Sequence, residues 1–157
     1  MSTKNFLAST LFAASLLPGP ALAATAQAPA DINAIRDVLG RYEQALNASD
    51  TKAVLTLYAE DGVFMPAFAP PAVGAPAVRA AYDAVFQTIR LNVAFDIVEI
   101  VQTAPSWAFA RTNSAGTVSI HATGATSSEA NQELFVFHKD HADAWKIARY
   151  SFSPTHR

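Results

Sequence analysis

The chain has 157 residues, 51% hydrophobic and 15% charged, with a formal net charge of −2 and no cysteine. That composition suits one globular domain with a sizeable core. It excludes disulfides, thiolate catalysis and cysteine-ligated metals, and the lack of a basic tract argues against nucleic acid or an anionic membrane surface as partner.

The first 23 residues read as a signal peptide. Lys4 supplies a positive start, Phe6 to Leu17 an apolar run, Pro18-Gly-Pro20 a break, and Ala21-Leu-Ala23 a small-x-small cleavage site. The apolar run is shorter than the roughly 20 residues needed to span a bilayer. A periplasmic or secreted protein is expected, cleaved after Ala23, with Ala24 to Ala30 a mobile linker and residues 31–153 a single domain followed by a short tail.

Asp31 reads as an N-cap, and Ile35, Val38, Leu39, Tyr42, Ala45 and Leu46 recur at helical spacing behind it. Ser49-Asp50 opens a shorter second helix carrying Val54, Leu55 and Tyr58 and stopped at Asp61-Gly62. Val63-Phe-Met65 is a brief strand, and the proline-rich stretch Pro66 to Pro76 an extended loop. Pro76 fits the first turn of a third helix with Val78, Ala81, Tyr82, Val85, Phe86 and Ile89 on its buried stripe.

The remainder alternates as strands do. Leu91, Val93, Phe95, Ile97, Glu99 and Val101 share one face of the first, and Trp107, Phe109, Arg111 and Asn113 one face of the second. Ala115-Gly116 suggests a bulge or bend before Thr117 to His121, and Thr123 to Ser128 is a polar turn. Asn131 to Lys139 and Trp145 to Phe152 form a closing hairpin. A four-residue turn, Asp140 to Asp143, sets Glu133 opposite Tyr150. Three helices followed by four long antiparallel strands make an α+β domain, a curved sheet wrapped on helices with a cavity between. Glu133 is a carboxylate inside an aromatic and aliphatic strand, and such a group needs a partner or a purpose.

Tyr58-Ala-Glu-Asp-Gly-Val-Phe-Met-Pro66, Trp107-Ala-Phe-Ala-Arg-Thr-Asn-Ser-Ala-Gly116, Asn131-Gln-Glu-Leu-Phe-Val136 and Trp145-Lys-Ile-Ala-Arg-Tyr-Ser-Phe152 carry a likeness. With this order of elements, the chain resembles the nuclear transport factor 2-like superfamily, its SnoaL-like branch, and within that the SgcJ/EcaC-type proteins. The resemblance covers about Asp31 to Phe152 and implies a cystatin-like cone of three helices on a curved antiparallel sheet. It implies little about activity, because the fold hosts isomerases, cyclases, dehydratases and binding modules. Ketosteroid isomerases of the superfamily pair a Tyr and a protonated acid against an oxyanion, with a second carboxylate moving the proton. By resemblance the Tyr falls on Tyr42 and the acid on Glu133. The base falls on Pro66, which accepts no proton, so isomerisation by that route is not expected.

The same register puts Trp107, Phe109, Arg111 and Asn113 on the cavity face beside Phe135 and Tyr150. Arg111 and Glu133 would then meet there, either as an internal salt bridge or as groups facing a ligand. Tyr42 and Tyr58 on helix stripes, and Phe64, Phe68 and Trp107 about the mouth, complete the expected lining. His138-Lys-Asp-His141 lacks a third ligand and helical spacing, so no metal is expected, and six scattered glycines provide no phosphate loop or cofactor signal. The favoured reading is an exported domain binding a small apolar or aromatic molecule. The alternatives are a cofactor-free cyclase, isomerase or dehydratase using Glu133 as acid or base with Arg111 and Tyr42, and an association scaffold. A homodimer through the sheet face is expected by resemblance.

Overall fold

The computed structural model describes residues 21–155. The expected signal-peptide features before Ala21 lie outside them. The elements are α1 (Ala21–Asn47), α2 (Thr51–Leu57), β1 (Tyr58–Met65), β2 (Ala72–Val73), α3 (Gly74–Thr88), β3 (Ile89–Ala104), β4 (Trp107–Ile120), β5 (Thr126–Lys139) and β6 (Trp145–Pro154). They form one six-stranded sheet in the order β2-β1-β6-β5-β4-β3, with the helices packed against its concave side. The sheet is mixed: β1 runs parallel to β6, and the other neighbours are antiparallel.

Helix α1 buries the stripe its spacing requires: Ile35, Val38, Leu39, Tyr42, Ala45 and Leu46 are all in the core. It also includes Ala24 to Ala30, the stretch expected as a linker. Asp31 is therefore not a cap. Its carboxylate, buried where helix meets sheet, accepts from Trp145 Nε1 at 3.0 Å and Gln102 Nε2 at 3.0 Å and pairs with Lys139 Nζ at 3.0 Å. The polar side of α1 serves the edge strand β3. Asn47 accepts from Val93 N and donates to Val93 O, each at 2.8 Å, and Glu43 accepts from Phe95 N at 2.7 Å. A sheet edge that would otherwise present unpaired amides is thereby covered.

Asp50 caps α2, its side chain accepting from Ala53 N at 2.9 Å. That helix ends at Leu57, earlier than the Asp61-Gly62 stop expected, because Tyr58 turns extended and opens β1. Helix α3 buries Val78, Tyr82 and Phe86 as its spacing predicts.

Two irregularities decide which side chains face inward. In β3, Ile97 pairs with Thr112 and Glu99 with Arg111, so Val98 is an extra residue. Leu91, Val93, Phe95 and Ile97 face the core as expected, but beyond the bulge Ile100 takes over and Glu99 and Val101 turn outward. In the closing hairpin Lys139 pairs with Trp145, which makes the turn one residue longer than expected, and Ala148 is a bulge between Ile147 and Arg149. The two shifts move Glu133 opposite Phe152 and Tyr150 opposite Phe135. A displacement of two preserves parity, so Glu133 and Tyr150 still share the concave face.

No register shift occurs at Ala115-Gly116. Gly116 is needed for close approach instead: a Cβ there would lie 2.0 Å from Asn92 O and 2.8 Å from Val93 Cα. Gly40, on the exposed side of α1, has no such constraint, with nothing within 4 Å of a built Cβ. The two glycines should respond with opposite signs in denaturant melts. Gly116→Ala should cost roughly 1–3 kcal/mol, and Gly40→Ala should add roughly 0.5–1 kcal/mol through helix propensity. An unchanged midpoint for Gly116→Ala would contradict the close approach of β3 and β4.

Candidate functional site

Between the helices and the sheet lies a cavity of about 150 Å³. Its roof is Tyr42 and Leu46 of α1 with Tyr82 and Val85 of α3, and Leu91, Val93 and Phe95 of β3 form one apolar wall. Phe64, Pro66 and Phe152 close the opposite side. The floor is polar: Ser114 of β4, Glu129, Asn131 and Glu133 of β5, and Tyr150 of β6.

Glu133 is 6% exposed and accepts three hydrogen bonds, all from hydroxyls. Thr112 Oγ1 donates to Oε2, while Ser114 Oγ and Tyr150 OH each donate to Oε1 at 3.1 Å. The position follows from pairing, since Thr112 lies directly opposite Glu133 across β4 and β5. Among the described residues, no Lys, Arg or His lines the cavity. Burial pushes the Glu133 carboxyl above its ordinary range, and the hydroxyls of Thr112, Tyr150 and Ser114 pull back only in part.

A second network lies in the roof. Tyr82 OH is bonded to Tyr42 OH and, at 2.9 Å, to Tyr58 OH. Three hydroxyls carry three protons but share two internal bonds, so one proton is left to offer elsewhere. Burial raises Tyr42, Tyr58, Tyr82 and Tyr150 well above the usual phenol range, which keeps all four neutral and able to donate. Around them the rings pack tightly: Phe135 and Tyr150 stack at 4.2 Å, Phe64 and Tyr82 at 4.7 Å.

The predicted residues divide by strand parity. Glu133, Tyr42, Phe64 and Tyr150 line the cavity. Phe135 is fully buried among the rings behind it, and Tyr58 supports the roof through Tyr82 without reaching the lining. Phe68 stands 100% exposed, in a left-handed backbone conformation with φ of 63°. Trp107, Phe109, Arg111 and Asn113 share a strand face as expected, but it is the outer one. Arg111 pairs with Glu99 there, and Trp107 lies against His138 at 4.2 Å.

The inner face of β4 is Ala108, Ala110, Thr112 and Ser114. Ala108 lies opposite Phe137 and Ala110 opposite Phe135, so small residues on β4 leave room for the rings of β5. An arginine inward would have needed desolvation beside those rings; outward it stays hydrated. Thr112, Ser114, Glu129, Asn131 and Tyr82 are polar site residues that sequence reasoning did not select. The signal was available in part, since an acid in an apolar strand needs donors and the Thr112/Ser114 set shares the parity of two alanines. Among the described residues, no group of three His, Asp or Glu side chains is arranged to hold a metal ion.

A carboxyl whose folded-state pKa is raised keeps its proton more readily folded than unfolded, so its effect on stability worsens as pH rises through the folded value. Glu133→Gln removes that liability. The stability of Glu133→Gln relative to the natural protein should therefore grow between about pH 4 and pH 7, read from urea midpoints at the two pH values. A pH-independent difference would mean that burial does not dominate at Glu133.

The SnoaL-like domain family model matches residues 39–150. No curated protein matches the chain. Among solved structures, a ketosteroid isomerase-like protein from Erwinia carotovora atroseptica SCRI1043 is 37% identical with a TM-score of 0.77, covering 80% of this chain and 96% of its own. A conserved protein from Planctomyces limnophilus DSM 3776 is 27% identical with a TM-score of 0.70, covering 80% and 98%. A putative scytalone dehydratase from Novosphingobium aromaticivorans DSM 12444 shares the fold at 16% identity and a TM-score of 0.72, covering 84% and 89%. With the family model spanning α1 to β6 over the same cone and cavity, the chain belongs to the SnoaL-like domain family.

Proposed function

We propose that this domain binds one small, mainly apolar molecule in the cavity beneath α1. The observation that carries the reading is the combination of an aromatic and aliphatic enclosure with a polar floor centred on a buried carboxyl that no cation neutralises. A volume of about 150 Å³ suits a compound of one ring, because engineered apolar cavities of roughly that size accept benzene. Val85, half-buried on α3, projects into the lining. Val85→Phe should fill the space, abolishing ligand-induced shifts in two-dimensional NMR while circular dichroism stays native. Ligand binding that survives this substitution would place the site elsewhere.

A second reading, proton transfer by Glu133, rests on its raised carboxyl and on the spare proton of the tyrosine cluster that roofs the same cavity. Pro66 lies in the lining and offers no base where the isomerase resemblance expects one, and the other lining carboxylate, Glu129, already accepts from Asn131 Nδ2 at 3.0 Å, which favours binding over that isomerase mechanism. Turnover that persists in Glu133→Gln would remove Glu133 from any such reaction.

Export rests on Lys4, the Phe6 to Leu17 run and Ala21-Leu-Ala23, and amino-terminal sequencing of the mature protein should begin at Ala24. Self-association rests on the outer sheet face, where Val101, Trp107 and Leu134 are 37%, 41% and 44% exposed. Light scattering at the monomer mass would overturn it.

A further inference from the structure

The floor of the cavity contains one polar group whose hydrogen-bonding capacity is left over. Asn131 is 8% exposed and lines the cavity on the same face of β5 as Glu133. Its Nδ2 donates to Ser114 Oγ at 3.3 Å and to Glu129 Oε1 at 3.0 Å. A carboxylate only accepts, so the bond to Glu129 fixes which end of the amide is nitrogen. Asn131 Oδ1 is then a carbonyl oxygen, buried and without a partner among the described residues. A buried acceptor left unpaired is costly, and native structures keep few of them.

The charges in the lining point the same way. Glu129 and Glu133 both border the cavity, and among the described residues no Lys, Arg or His does. The three hydroxyls nearest the floor, those of Thr112, Ser114 and Tyr150, already donate to Glu133. An anionic guest would therefore face two acids with no compensating cation. A guest carrying an N–H or O–H finds an acceptor waiting.

We infer that Asn131 is the specificity-determining residue of this cavity, its side-chain carbonyl receiving a hydrogen-bond donor from a ring-sized ligand that bears a hydroxyl or an amine and no negative charge. The inference rests on the binding reading above and narrows it to a ligand class. A hydroxyl and a protonated amine share the required chemistry, with the amine gaining additionally from Glu129.

Four probes of nearly one size separate the outcomes: phenol, benzylamine, toluene and benzoate, titrated against the full chain by NMR and calorimetry. Toluene matches phenol in shape but has no donor. In Asn131→Leu the ratio of phenol affinity to toluene affinity should fall roughly tenfold, the worth of about one neutral hydrogen bond in a buried site. A general loosening of the fold would weaken both probes alike and leave the ratio unmoved. An unchanged ratio overturns the role of Asn131, and means that water or a small relaxation satisfies its carbonyl, while leaving the cavity a binding site. If Asn131→Leu does not fold, the unsubstituted protein still decides: benzoate binding as tightly as phenol or benzylamine overturns the inference. Benzylamine binding tighter than phenol, and weakening toward it in Glu129→Gln, identifies the amine as the preferred donor; equal affinities identify the hydroxyl. Failure of all four probes overturns the binding reading itself and this inference with it.

Discussion

The structure depends on a carboxyl group buried between sheet and helices, with hydroxyls and, among the described residues, no cation as its partners. Glu133 is tolerated there because three hydroxyls, from Thr112, Ser114 and Tyr150, converge on its two oxygens. Hydrogen bonds to an ionised acceptor are stronger than neutral ones and replace part of the hydration lost on burial. They do not replace all of it, and the carboxyl remains displaced toward its protonated form. Each of the three donors comes from a different position on β4 or β6, so the registers of β4 against β5 and β5 against β6 must both hold for the group to be satisfied. A polar group of this kind specifies alignment more than it adds stability.

The same demand explains the division of the sheet into two faces. Inward, β4 offers two alanines beneath the rings of Phe135 and Phe137, then two hydroxyls beneath the carboxyl. Outward, it offers Trp107, Phe109, Arg111 and Asn113, with Arg111 held by Glu99. The Val98 bulge makes the second arrangement possible, since it turns Glu99 from the inner to the outer side of β3 just where Arg111 needs a partner. Among the described residues, charge in the cavity lining is confined to Glu133 and Glu129, while the buried Asp31–Lys139 pair lies where α1 meets the sheet.

Membership of the SnoaL-like family fixes the scaffold but leaves the chemistry to the lining. The solved structures this chain resembles include a ketosteroid isomerase-like protein and a putative scytalone dehydratase. At 16% identity the second testifies to the cone alone. The lining of this cavity combines Pro66 beside aromatic rings, a tyrosine cluster in the roof, and a buried amide carbonyl in the floor that has no hydrogen-bond partner among the described residues.

Local chemistry was enough to read much of this from the chain. The helical stripes of α1 and α3, the cap at Asp50, the long strands and the oddity of Glu133 follow from side-chain period and polarity, which act over a few residues. Which face of β4 turned inward did not follow, because alternation marks two sets of residues and is silent on which set meets the core. Arg111 and Thr112 are neighbours in sequence, and their opposite fates were settled by ring volumes on β5 and a single extra residue in β3, both distant along the chain. The meeting of Tyr42, Tyr58 and Tyr82 and the leftover acceptor of Asn131 likewise exist only once helices and sheet are packed, since a hydrogen bond is made by distance and direction that no one-dimensional pattern encodes.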